Sequence, residues 1–176
     1  MKTLNLALLP IISVFSTSVL ATQANIITFQ GEVTDQTCTV DVNGDTANPV
    51  VLLPTVSTSD LASVAAVAGT TEFDISISGC TAGATTDIST VFIGNQVTTD
   101  GNLGNTGSAT EVDIQLIDTQ NNVIDFSSDF NGNGDLNLAD ATATTANATY
   151  KAQYYATGAT TAGTVSASLQ YAISYQ

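Results

Sequence analysis

From residue 26 onward, apolar side chains recur at every second position. Ile27, Phe29, Gly31 and Val33 alternate with Thr28, Gln30 and Glu32, and Phe73, Ile75 and Ile77 alternate with Glu72, Asp74, Ser76 and Ser78. Val112, Ile114 and Leu116 stand against Glu111, Asp113 and Gln115, and Tyr171, Ile173 and Tyr175 against Gln170, Ala172 and Ser174. A period of two places one face of a strand on a core and the other in water. Turn chemistry separates the runs: Asn43-Gly44-Asp45, Asn48-Pro49, Gly101-Asn102, Asn121-Asn122 and Asn131-Gly132. Many short strands with frequent turns predict an all-β antiparallel sandwich. Leu61–Ala68, after a possible Asp60 cap, has room for about two turns of helix before Gly69. The Gly/Asn/Thr stretch Thr98–Thr110 reads as a mobile loop, and its glycines lack the strand-turn-helix setting of a phosphate cradle. No linker or repeat divides the chain.

Charge excludes whole classes of function. The 176 residues carry 16 acids against two lysines, with no arginine and no histidine, for a formal net charge of -14. Nucleic acid is excluded as a partner, because phosphate binding needs clustered Lys and Arg. Anionic membrane surfaces are disfavoured on the same ground. Without histidine the chain lacks the commonest general base and metal ligand. No pair of carboxylates stands out as a glycosidase site, and with 6% aromatics and no Trp there is little to stack on a sugar. We therefore expect no enzyme, no cofactor and no small-molecule substrate.

The N-terminus reads as an address. Lys2, the apolar stretch Leu4–Phe15 and the small polar residues Ser16–Ser18 make a secretory signal, too short and interrupted for a membrane anchor. Cleavage after Ala21 or after Ala24 fits the small-residue rule. In an exported chain, the two cysteines, Cys38 and Cys80, predict one disulfide. Zinc would need more ligands and a catalytic thiol would need a base.

Both ends of the exported chain carry apolar strands that need partners. At the C-terminus Val165, Ala167, Leu169, Tyr171, Ile173 and Tyr175 point one way over an unusually long run, with no polar tail after it. At the other end Thr22–Gln30 forms an arm with Asn25, Ile27 and Phe29 on one face. Such strands either satisfy each other within one molecule or find a strand elsewhere.

The order of these elements resembles the pilin subunits of chaperone–usher fimbriae. Gly31-Glu32-Val33 precedes Thr37-Cys38-Thr39-Val40; then come Leu52-Leu53-Pro54-Thr55-Val56 and Phe73–Gly79 leading to Cys80. Val112–Leu116, Lys151–Gly158, a glycine fourteenth from the end (Gly163) and a penultimate tyrosine (Tyr175) complete the pattern. The resemblance implies an incomplete, six-stranded immunoglobulin-like sandwich whose missing seventh strand is donated by another subunit. It divides the chain into a signal peptide (1–21), a donor-strand arm (22–30) and a pilin domain (31–176). It also implies that Gly163 through Tyr175 edges the vacant groove and carries the chaperone-recognition motif. The implied partners are neighbouring subunits in a homopolymer, a periplasmic chaperone and an outer-membrane usher. The implied product is an adhesive surface fimbria of major-subunit type, exported through the periplasm. Cleavage after Ala21 is preferred because a cut after Ala24 leaves too short an arm to fill the groove. Family donor arms carry a glycine where this chain has Asn25.

One rival signal is Asp129, Asn131, Asn133, Asp135, Asn137 and Asp140, which match the oxygen-ligand spacing of a calcium loop with Gly134 at the turn. Its flanks do not read as paired helices, so a strand-connecting loop rich in Asn and Gly is preferred and no metal is assigned. The alternative function, with or without calcium in this loop, is an autonomous secreted β-sandwich acting as a ligand-binding module, in which Thr22–Gln30 and Gly163–Gln176 satisfy each other within one molecule. The sequon Asn147-Ala148-Thr149 carries little weight in a chain of this type.

Overall fold

The structure, a computed structural model, describes residues 38–81 and 87–175. The signal segment, the arm with Asn25, Ile27 and Phe29, the strand expected over Ile27–Val33 and Gln176 lie outside the described residues.

Two layers of strands bury the alternating apolar face. Strands β1 (Thr39–Val42), β2 (Val67–Ser78), β4 (Leu103–Gly104), β5 (Val112–Ile117) and β7 (Ala146–Ala156) form one sheet in the order β1-β2-β7-β5-β4. Strands β3 (Ile88–Gly94), β6 (Phe130–Asn131) and β8 (Leu169–Tyr175) form the other, in the order β6-β3-β8. Every pairing is antiparallel. Six of these strands have four or more residues. The all-β sandwich expected from the two-residue period is the fold.

The period also sets the register. Phe73 faces Tyr150 and Ile75 faces Ala148 across β2 and β7, while Ile114 faces Tyr154 across β5 and β7. One residue of slip would turn this whole set outward. Aromatic rings join the layers: Tyr150 stacks on Phe73 at 5.8 Å and meets Phe92 edge-on at 5.0 Å, and Phe92 stacks on Phe130 at 5.6 Å. The first hairpin turns as its sequence demands. Asn43 and Gly44 both have positive φ (51° and 83°), and Val42 and Asp45 exchange backbone bonds at 3.0 Å.

The disulfide joins Cys38 to Cys80 with Cα atoms 4.5 Å apart, tying the entry of β1 to the end of β2. The Cys38 N–H also donates to the Tyr175 hydroxyl (3.2 Å), linking this staple to the last strand.

Two expectations are corrected. The two-turn helix over Leu61–Ala68 is instead a single 3-10 turn, Thr58–Leu61, capped by Ser57 and Asp60 in a reciprocal box. So short a helix gains little by itself, whereas residues from Val67 onward gain a ladder on β7. The turn buries Leu61 in a small satellite core with Ala109, Val112 and Ala156. Second, Thr98–Thr110 is not a mobile loop. It contains β4, and Gly101, Asn102 and Leu103 are buried. Its hairpin closes through the Thr98 N–H to Asn102 carbonyl bond (2.9 Å) and lays Asn102 beside Gln115 on β5. A relay of side-chain bonds continues from Gln115 to Gln153 and Thr70.

Candidate functional site

In the three-stranded sheet β8 lies at an edge, paired on one side to β3 from Ile88↔Tyr175 through Gly94↔Leu169. The long final strand therefore begins its ladder at Leu169, where β3 ends, rather than at Val165. Residues 164–168 continue it as an extended rail. The carbonyls of Thr164, Ser166 and Ser168 accept from Ala109, Thr106 and Asn95 at 3.0, 2.7 and 3.2 Å. By the alternation of extended backbone, the N–H and C=O groups of Val165 and Ala167 face the opposite edge, and among the described residues they make no hydrogen bond.

Facing that edge is a second extended segment, Pro49–Leu53. Its alternation is equally clear: Val51 and Leu53 turn inward, while Val50 and Leu52 are 72% and 82% exposed. Among the described residues its backbone, too, makes no hydrogen bond. Between the rails runs an apolar groove of about 590 Å³. Its floor is the core itself, with Phe73, Ile75, Phe92, Ile114 and Leu116 reaching it from both sheets. Its walls include Val51, Leu53, Val165, Ala167, Leu169 and Tyr171.

Each groove-edge residue chosen from the sequence can now be placed. Val165, Ala167, Leu169, Tyr171, Ile173 and Tyr175 all lean on the main core and all remain half-buried, while Ser166, Ser168, Gln170 and Ala172 are exposed. Half-burial of six consecutive inward positions is the signature of a core face left partly uncovered. Gly163 sits at the rail's start for a steric reason. A Cβ there would lie 2.4 Å from the Ala109 nitrogen. The other rail, Val51 and Leu53, is the part of the groove that sequence reasoning missed. Val50–Leu53 is an unbroken apolar run, so its sequence carries no alternation to mark the inward side.

The side chains of the calcium-type loop make hydrogen bonds within the protein. Asp135 accepts from the Thr90 N–H (2.8 Å) and from the Tyr150 hydroxyl, and Asn137 accepts from the Ile88 N–H (2.7 Å). Asn131 accepts from the Asn133 N–H within its own turn. Bonds from the Thr142 hydroxyl and backbone hold the Asp140 carboxyl below its usual range. Among the described residues no cluster of three or more His, Cys, Asp or Glu is placed to hold a metal ion. The loop straps β3, burying Leu136 and Leu138 in the core. Burial, followed by the bond to Asp135, pushes the Tyr150 phenol far above its ordinary pKa, so it stays protonated as a donor.

The geometry is thus a partly covered apolar groove flanked by two rails whose groove-side backbone edges make no hydrogen bond among the described residues. The family model for fimbrial proteins matches residues 27–176. The major fimbrial subunit SMF-1 of Stenotrophomonas maltophilia is 39% identical over 158 residues, covering 85% of this chain and 90% of that protein. The F17 fimbrial protein of Escherichia coli is 40% identical over 168 residues, covering 85% and 86%. Among solved structures, a subunit from a chaperone–usher pilus described in connection with rod uncoiling superimposes with a TM-score of 0.61 at 20% identity, over 91% of this chain and all of that one. The P pilus rod subunit PapA gives 0.59 at 17%, over 78% and 99%. The chain belongs to the fimbrial protein family and is a structural subunit of a surface fimbria, not an enzyme.

Proposed function

We propose that this subunit polymerises head-to-tail by donor-strand exchange, the arm Thr22–Gln30 of one copy filling the groove of the next. The observation that carries the reading is the pair of rails flanking an apolar floor: Val50–Leu53 on one side, and Val165 and Ala167 on the other, whose backbone groups make no hydrogen bond among the described residues. An incoming strand can supply both sets of bonds, while its alternate side chains enter the groove and fix the register. Ile27 and Phe29 are the apolar positions of the arm, with Asn25 on the same face. A heterologous contact of this kind does not close, so it builds a filament.

On the same reading, cleavage after Ala21 leaves the full arm. A periplasmic chaperone covers the groove with a strand of its own until assembly, docking along Gly163 to Tyr175. An outer-membrane usher receives the subunit. With one lysine left after cleavage, copies of so acidic a chain have almost no ion pairs to offer one another, and apolar strand insertion supplies the attraction.

The test is Ile27→Asp combined with Phe29→Asp, co-expressed with the chaperone and usher. We expect the subunit to reach the periplasm and fold, its acceptor groove being untouched, but to form no homopolymeric fibre. Normal fibres from the double variant would refute the assignment of the arm.

A further inference from the structure

The acceptor groove needs one of its rails to stay extended while its outer edge is empty, and β3 does not reach far enough to hold it. β3 stops at Gly94, opposite Leu169. Beyond that point one backbone bond, from the Asn95 N–H to the Ser168 carbonyl (3.2 Å), continues the inner edge, and residues 164–167 have no strand beside them there. A chain segment with neither edge paired would be free to collapse onto the groove floor.

We propose that the loop Asn105–Ala109, which leaves the other sheet after β4, is the clamp that holds this rail open, with Asn105 as its positioning residue. The inference rests on the reading of the groove as a strand acceptor. Asn105 is half-buried and makes three bonds. Its Oδ1 accepts from the Ser166 N–H (2.9 Å) and from the Gly107 N–H (2.7 Å), and its Nδ2 donates to the Ala109 carbonyl (2.8 Å). One side chain thus stands in for a missing strand at Ser166 while bracing its own loop. The loop backbone adds the bonds from Thr106 to Ser166 (2.7 Å) and from Ala109 to Thr164 (3.0 Å), and the Ser108 hydroxyl accepts from the Thr164 N–H (2.9 Å). Two glycines permit the crossing. A Cβ on Gly107 would lie 2.1 Å from the Thr164 carbonyl oxygen, and one on Gly163 would strike Ala109. All of these bonds lie on the inner edge, so Val165 and Ala167 keep their outer edge toward the groove.

The test compares Asn105→Ala, Asn105→Asp and the milder Ser108→Ala in the full mature chain, with three readouts. These are the thermal midpoint of the monomer, amide exchange at Ser166, and the rate at which detergent-resistant multimers accumulate. Loss of the Asn105 acceptor should raise Ser166 exchange about tenfold in Asn105→Ala and slow multimer formation by a similar factor. Asp keeps the acceptor for Ser166 while losing the donor to the Ala109 carbonyl, and should return both toward wild type without reaching it. Ser108→Ala should speed exchange at Thr164 while leaving the fold intact, which keeps the test decisive if Asn105→Ala does not fold. Wild-type exchange at Ser166 in Asn105→Ala would overturn the clamp. Faster exchange with unchanged multimer formation would overturn its role in assembly. A wild-type chain that forms no multimers would overturn the polymerisation reading instead, and Ser166 exchange would still decide the clamp.

Discussion

Replacing Asp135 should cost this protein a large part of its stability, although Asp135 lies in a loop of calcium-like sequence. Its two carboxylate oxygens satisfy donors at positions sealed from water: the Thr90 N–H at 2.8 Å and the Tyr150 hydroxyl, both residues being fully buried. Asp135→Ala leaves both donors without an acceptor. Each buried orphan costs about 1–3 kcal/mol, so the loss should be about 3–5 kcal/mol. Tyr150 also joins Phe73 and Phe92 across the two sheets, so its displacement loosens the aromatic centre of the core. Asp135→Asn keeps an acceptor for Thr90 and presents an amide to Tyr150, and should cost only about 1 kcal/mol. Urea unfolding of the oxidised monomer at neutral pH measures both. A strap held by protein groups predicts the same midpoint in excess calcium and in chelator. A loss below about 1 kcal/mol for Asp135→Ala, or a midpoint that rises with calcium, would refute the reasoning.

Other outcomes follow from the same structure. Converting Cys38 and Cys80 to Ser opens a loop closed across 42 residues and should cost about 4 kcal/mol in the chain-entropy model; an unchanged urea midpoint would contradict that. Asp113 is buried on β5 with one oxygen lacking any partner; burial raises its pKa, Asp100 and Glu111 add to the rise, and the Thr98 hydroxyl opposes it. A raised folded-state pKa means the native state holds this proton more tightly. Its contribution to stability is therefore full below the unfolded pKa and lost as pH rises through the folded one. Asp113→Asn should stabilise the protein at neutral pH and lose that advantage toward acid. Equal differences between wild type and variant at both pH values would count against it.

What could be read from the sequence was local, and what could not was tertiary. The inward face of β2, β5 and β8 showed in the alternation at Phe73–Ile77, Val112–Leu116 and Tyr171–Tyr175: β2 and β8 each have one wet or partly wet face, and β5, buried on both, still keeps its polar residues Asp113 and Gln115 on the face away from the core. β3 did not show. Ile88, Ser89 and Thr90 are buried in succession because the Asn131–Asn137 strap covers the face that a free strand would turn to water. β7 alternates as regularly as the others, but its inward set is diluted by Ala148 and Ala152, small residues that leave room for Tyr150 and Tyr154. The same applies at the site. The half-buried run from Val165 to Tyr175 could be chosen from its pattern, whereas the opposing rail at Val51 and Leu53 acquires meaning only once the two segments face each other. Asn105 gave no signal, since its three bonds reach residues as far as 61 positions away.

The claim at the centre of this account is that the subunit is completed by a strand from its neighbour. The most direct test is a detergent gel of the oxidised mature protein taken from cells, run with and without boiling. Non-covalent strand exchange predicts a ladder of multimers that collapses to a single band on boiling. A lone monomer band in both lanes would contradict it and mean that the groove is filled from within the same chain.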